Sequence, residues 1–206
     1  MERFFGARTS FAFGMALPEQ ASGSYIGQMS FPLVNGAGWG AVGLTGDMEG
    51  NYGTNEDNPP EVKGAFAVRP IAEGVSVNAT ALTYTYLCEN CLDAALGLGP
   101  EGTNANAVMG WALSEKAVQN PTNPGARLGF HERGFGPFTA RLGSAKSARF
   151  ATVAGAAGQP VASSNRAVAV TPNAFKDGSD DDDDNKKQGG KKGGGGEKKD
   201  DDEKDD

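Results

Sequence analysis

Few residues in this chain have side chains suited to chemistry, and they fall in three places. The only histidine, His131, lies in Leu128-Gly129-Phe130-His131-Glu132-Arg133-Gly134-Phe135-Gly136-Pro137-Phe138. A neutral imidazole nitrogen among aromatic rings is a ligand for iron, and the glycines let backbone approach a flat molecule closely. A histidine in a solvent-facing loop satisfies the same pattern. Of five methionines, Met15, Met29 and Met109 lie inside apolar runs where packing accounts for them, and Met1 is the start. Met48 lies instead in the polar turn Thr45-Gly46-Asp47-Met48-Glu49-Gly50. It is either a thioether ligand or an exposed side chain.

Cys88-Glu89-Asn90-Cys91 is the third place. Cys-x-x-Cys serves as a redox pair, as half a zinc site or as a small structural disulfide. A thioredoxin-like motif opens a helix after a buried strand. Here Leu92 to Leu96 is followed at once by Gly97, Gly99 and Pro100, which no long helix tolerates. The structural disulfide is therefore the preferred reading, with a redox pair as the alternative. Asn78-Ala79-Thr80 is an N-glycosylation sequon, and it points to the oxidising compartments in which disulfides persist.

Other chemistries lack their residues. One histidine and two cysteines cannot make a four-ligand zinc site without carboxylates. No Gly-x-Ser-x-Gly accompanies His131, and there is no Gly-x-x-x-x-Gly-Lys phosphate loop. No catalytic residue is expected. No apolar run approaches the ~18–20 residues of a membrane helix, and nothing before residue 177 is basic enough for nucleic acid.

The elements that must position these residues read as short strands punctuated by Gly and Pro, of which there are 31 and 11 in 206 residues. Candidate strands are Phe11 to Leu17, Tyr25 to Phe31, Trp39 to Leu44, Lys63 to Arg69, Val75 to Cys88 and Ala107 to Leu113. In the fifth, Val75, Val77, Leu82, Tyr84 and Tyr86 hold period-2 positions. Short strands at this spacing favour an all-β sandwich or barrel. Ser114 to Asn120 has room for two helical turns, and Ser144 to Ala156 is Ala-rich. The pattern divides the chain into a folded body at 1–157, a linker at 158–176 and a low-complexity tail at 177–206. The tail holds 13 of the 26 acidic residues, 7 Lys and no apolar side chain. Such a segment cannot repay the entropy of ordering and is expected to be disordered. The net charge of −7 belongs mostly to it. The charged, short N-terminus is no secretory signal, and the chain is expected to start late.

Several segments together resemble one family. Phe13-Gly14-Met15-Ala16-Leu17-Pro18, Tyr25-Ile26-Gly27-Gln28 and Gly38-Trp39-Gly40-Ala41-Val42-Gly43-Leu44-x-Gly46-x-Met48 are similar to the haem-binding cytochrome domain of fungal cellobiose dehydrogenases. Leu87-Cys88-Glu89-Asn90-Cys91-Leu92, Met109-Gly110-Trp111-Ala112, the His131 segment and Ser144-Ala145-Lys146-Ser147-Ala148 follow in the family's order. The resemblance covers roughly residues 11–152.

It implies an antiparallel β-sandwich of immunoglobulin-like topology holding haem b. Carried over residue by residue, the axial ligands of the iron are Met48 and His131, from loops at one end of the sandwich, and Cys88 and Cys91 form a disulfide. The family carries single electrons outside the cell, from a flavin dehydrogenase to copper polysaccharide monooxygenases or ferric iron. Two departures go with it. The segment after Met48 is polar and turn-rich where the family runs into an apolar strand, and the strand preceding Phe11 is expected to be truncated. No flavin dehydrogenase domain is expected in this chain. The alternative is a haem-less sandwich module that binds carbohydrate or a protein partner, with Trp39, Trp111 and the tyrosines as its surface.

Overall fold

A computed structural model describes residues 2–6, 8–46 and 61–169. Met48 and the tail at 177–206 lie outside the described residues. The strands are β1 (Glu2–Gly6), β2 (Phe11–Ala16), β3 (Tyr25–Pro32), β4 (Trp39–Gly43), β5 (Val62–Lys63), β6 (Ala67–Pro70), β7 (Ser76–Val77), β8 (Ala81–Glu89), β9 (Asn106–Ser114), β10 (Gly134–Arg141) and β11 (Val168–Ala169). Among the described residues one short α-helix, α1, spans Phe150–Ala154, and four 3-10 turns lie between strands.

Two antiparallel sheets make the expected sandwich. The larger runs β1-β2-β3-β8-β6, with β7 also paired to β8, and the smaller runs β10-β9-β4. Register decides which side chains face inward, because directly opposed residues share a face. Phe4 opposes Phe13, Phe13 opposes Met29 and Met29 opposes Tyr84, giving one inward row on the larger sheet. On the smaller sheet Met109 opposes Phe138, and Trp111 and Leu113 lie at the alternate positions of the same face. The rows interlock, with ring centroids of Phe4 and Phe138 4.2 Å apart and those of Phe11 and Trp111 5.6 Å apart. Each such side chain taken fully from water contributes about 1.5–3 kcal/mol. Gly40 permits the approach, since a Cβ there would fall on the rings of Phe31 and Phe11. On the outside of the larger sheet, Phe150, Val153 and Ala154 of α1 cover Ala16, Ile26, Ile71 and Leu87.

The structure corrects the sequence reading in several places. The strand before Phe11 is present: β1 pairs with β2 at five positions, and Phe4 enters the core despite the charged Glu2-Arg3 start. The run from Val75 to Cys88 is broken at Asn78. Its Oδ1 accepts from the Thr80 amide, the Thr80 hydroxyl and the Ala81 amide, and this Asx turn folds β7 back on β8. Lys63 to Arg69 divides between β5 and β6. Ser114 to Asn120 forms no helix, because Ser114 ends β9 and its hydroxyl is engaged elsewhere. Only five residues of the Ala-rich stretch are helical.

The expected linker is docked as far as Ala169. Gly158 and Val161 amides donate to Pro70 and Val68 carbonyls, Ser164 donates to the Glu61 carboxylate, and β11 pairs in parallel with β5. Gly38-x-Gly40-x-x-Gly43 has the glycine spacing of a dinucleotide-binding loop. It forms an antiparallel strand here, without the strand-turn-helix setting that such a loop requires.

Candidate functional site

The outer face of the smaller sheet carries the site. Trp39 opposes Ser114, Ala41 opposes Ala112, and Gly43 opposes Gly110. On the other flank Phe135 opposes Ala112 and Pro137 opposes Gly110. The centre of this face is therefore a floor of four small residues, Ala41, Gly43, Gly110 and Ala112. Trp39 stands at one end, and Phe135 and Pro137 stand along one side.

His131 enters this face from the turn that starts β10. Its ring centroid lies 4.3 Å from Phe135 and 4.5 Å from Phe130. It also meets Trp39 edge to face, at 6.4 Å and 73°. Sequence reasoning had the histidine and its phenylalanines, but not the contact with Trp39 from 92 positions away. Phe138, expected among the rings around the histidine, points into the core instead. His131 Nδ1 and Trp39 Nε1 are both buried, and neither has a hydrogen-bond partner among the described residues. Buried unpaired nitrogens cost on the order of 1–3 kcal/mol each, so two side by side mark a place built for something more than packing.

Hydrogen bonds fix the turn. The Gly134 amide donates to the His131 carbonyl at 3.0 Å, and the Arg133 amide donates to the Leu113 carbonyl at 3.2 Å. The Glu132 carboxylate accepts from Ser114 Oγ at 2.7 Å and from the Glu115 amide at 2.8 Å. Desolvation works against the charged form of Glu132. The hydrogen bonds and the Lys116 charge outweigh it, and the carboxyl titrates below its ordinary range. Gly134 adopts φ +130°, which its lack of a Cβ permits.

Gly46 brings the chain onto the same face from the far end of the sheet. A Cβ there would run into Val108 and touch Pro137, both on the outer face. His131 and Gly46 thus approach one face from its two ends, while Met48, expected beside His131 at one end of the sandwich, lies outside the described residues. The Cys88–Cys91 disulfide is formed, and both cysteines are buried. The segment that follows it turns back at Gly97 against Thr45, beside the Gly46 exit. Trp111, Tyr25 and Tyr86 belong to the core and its margin, so they make no sugar-binding surface.

The donor set suits a haem. Among the described residues no three His, Cys, Asp or Glu side chains gather into a metal site. A single imidazole without clustered partners suits an iron that a macrocycle already holds. A flat apolar molecule also suits a floor of Ala and Gly bordered by aromatic rings.

The family model described as the cytochrome domain of cellobiose dehydrogenase matches residues 1–52 and 50–152. The chain belongs to this family. Cytochrome domains of the family bind haem and receive electrons from a dehydrogenase domain. Two solved structures share the fold. One is the cytochrome domain of Myriococcum thermophilum cellobiose dehydrogenase, 23% identical, with a TM-score of 0.63 over 75% of this chain and 86% of that one. The other is the cytochrome b domain of pyranose dehydrogenase from Coprinopsis cinerea, 22% identical, with a TM-score of 0.62 over 82% of this chain and 92% of that one. No curated protein matches the chain. Among the described residues of this cytochrome domain, no helix is long and apolar enough to cross a membrane.

Proposed function

We propose that this chain is a b-type cytochrome that carries single electrons, with His131 and Met48 as the axial ligands of its haem. The observation that carries the reading is the buried Nδ1 of His131, without a partner among the described residues and held among Trp39, Phe130 and Phe135 on a face floored by small residues. Phe130 is 65% exposed and Phe135 44% exposed, apolar rings that a bound macrocycle would shield from water. Haem held by His131 and Met48 would supply one-electron chemistry at its iron and would leave no position open for substrate.

The chain's own part is to present the imidazole, exclude water and hold the ligand geometry nearly constant while the charge changes. Chain connectivity supports Met48 as the second ligand. It lies two residues beyond Gly46 in the sequence, and Gly46 is already over Pro137. Pro137 is two strand positions from Phe135, which touches His131.

The donor we assign is a flavin dehydrogenase, and the acceptors are copper polysaccharide monooxygenases or ferric iron. Secretion fits the disulfide and the exposed Asn78 sequon, whose asparagine heads a hairpin turn open to solvent. Reconstitution with haem tests the reading. The reduced protein should give a sharp low-spin spectrum and should reduce ferric iron stoichiometrically. A protein that takes up no haem would refute it.

A further inference from the structure

The stretch from Glu115 to Arg133 joins β9 to β10 through 19 residues with no regular element. Proline, glycine and asparagine dominate its middle. A connection of that length leaves its far end free unless local bonds hold it. That far end is where His131 stands.

Glu132 makes the bonds that hold it. Its carboxylate spans from the turn to the end of β9, with one oxygen on Ser114 Oγ and the other on the Glu115 amide. Ser114 is fully buried on the outer face, directly opposite Trp39. Its hydroxyl also accepts from the Lys116 amide at 3.1 Å, so serine and carboxylate together close the end of the strand. Arg133 adds an ion pair to Glu115 at 2.8 Å, but both side chains are partly exposed, where such pairs contribute little. The hydrogen bonds to the carboxylate are the stronger restraint.

We infer that Ser114 and Glu132 are positioning residues for His131: the carboxylate clamps the turn to β9 so that the adjacent imidazole is held against Trp39 and Phe135. This rests on the haem reading only where it concerns ligation; the clamp itself belongs to the ligand-free protein. Partners that orient a metal-binding histidine typically act on its nitrogen. No acceptor meets Nδ1 among the described residues, and orientation here comes through the backbone of the next residue.

His131 is the only histidine in the sequence, so its ring protons give unambiguous NMR signals. In the ligand-free wild type they should be displaced by the ring currents of Trp39, Phe130 and Phe135. Glu132→Ala should move them toward the free-imidazole position, Ser114→Ala should do so in part, and Glu132→Gln, which keeps one acceptor oxygen, should fall between. Gln28→Ala removes the bond from its side-chain amide to Thr85 on the larger sheet, and it should lower Tm without moving these signals. In haem-loaded protein, Glu132→Ala should weaken haem affinity about 10-fold and reduce the low-spin fraction, by analogy with losing an orienting partner. Unchanged ring signals in Glu132→Ala, or an equal shift in Gln28→Ala, would overturn the inference. Failure of the wild type to bind haem would sink the cytochrome reading and leave the ligand-free test of the clamp standing.

Discussion

Trp39 and His131 meet edge to face at 6.4 Å, and each carries a buried ring nitrogen with no partner among the described residues. They come from the start of β4 and the entry to β10, and the register of β9 between them sets their meeting. Trp39 opposes Ser114, and Ser114 is tied to the residue after His131.

Trp39 is therefore expected to support the imidazole by its ring rather than by its N–H. Trp39→Phe should cost less than ~1 kcal/mol in ligand-free protein, because the lost donor was unpaired. Trp39→Ala should cost about 2–3 kcal/mol, somewhat below a fully buried truncation, and should release the His131 ring signals. Denaturant unfolding with NMR of the single histidine checks both.

Gly40 sets the spacing between the sheets, since a Cβ there meets Phe31 and Phe11. Gly40→Val should overpack the core and destabilise it by about 1–3 kcal/mol. Thermal unfolding should show it, and Gly36→Val should not be used as the matched control, because Gly36 has φ +77° and backbone strain of its own.

The Cys88–Cys91 disulfide closes a very short loop, so its removal by Cys88→Ala/Cys91→Ala should cost only about 2 kcal/mol by the chain-entropy model. The larger effect should fall on the segment running back to Thr45. Alkylation without reductant followed by intact mass should find no labelled thiol at either position. Two labelled thiols would contradict the pairing.

Burial raises the hydroxyl pKa of Tyr25, and burial together with the neighbouring Tyr25 raises that of Tyr86 further. Both folded values lie above the ordinary tyrosine value, so the neutral form is favoured by folding. The associated stability is present below about pH 10 and is lost as pH rises through the folded values. Alkaline unfolding should coincide with the ultraviolet signal of tyrosinate formation from these two residues. Tyr86→Phe should remove one of the late-titrating groups, which burial extends to Tyr84 as well.

Much of the sandwich was legible because period-2 alternation survives in Phe11 to Ala16, Tyr25 to Phe31 and Asn106 to Ser114, where one face is core. β1 was masked by its charges: Glu2 and Arg3 look like a frayed start, yet pairing with β2 packs the half-buried Phe4 against the core. β10 was read as a histidine loop because Gly134, Gly136 and Pro137 resemble turn chemistry; in fact the two glycines lie under Trp111 with φ of +130° and +156°. Local pattern also could not show the turn at Asn78, which a side-chain oxygen makes, nor the docking of residues 158–169, which long-range bonds to Glu61 and β6 make. His131 stood out by its setting among phenylalanines and glycines, and Met48, outside the described residues, stood out by its polar turn. Trp39, Ser114 and Glu132 did not, since their roles exist only through the register of β4, β9 and β10.

Haem ligation is tested most directly by the absorption spectrum of reconstituted protein beside His131→Ala and Met48→Ala. The wild type should give a sharp reduced low-spin spectrum. His131→Ala should lose most of the haem, and Met48→Ala should keep haem but shift to a high-spin form that binds added small ligands. Wild-type spectra from both variants would contradict the assignment of these two residues.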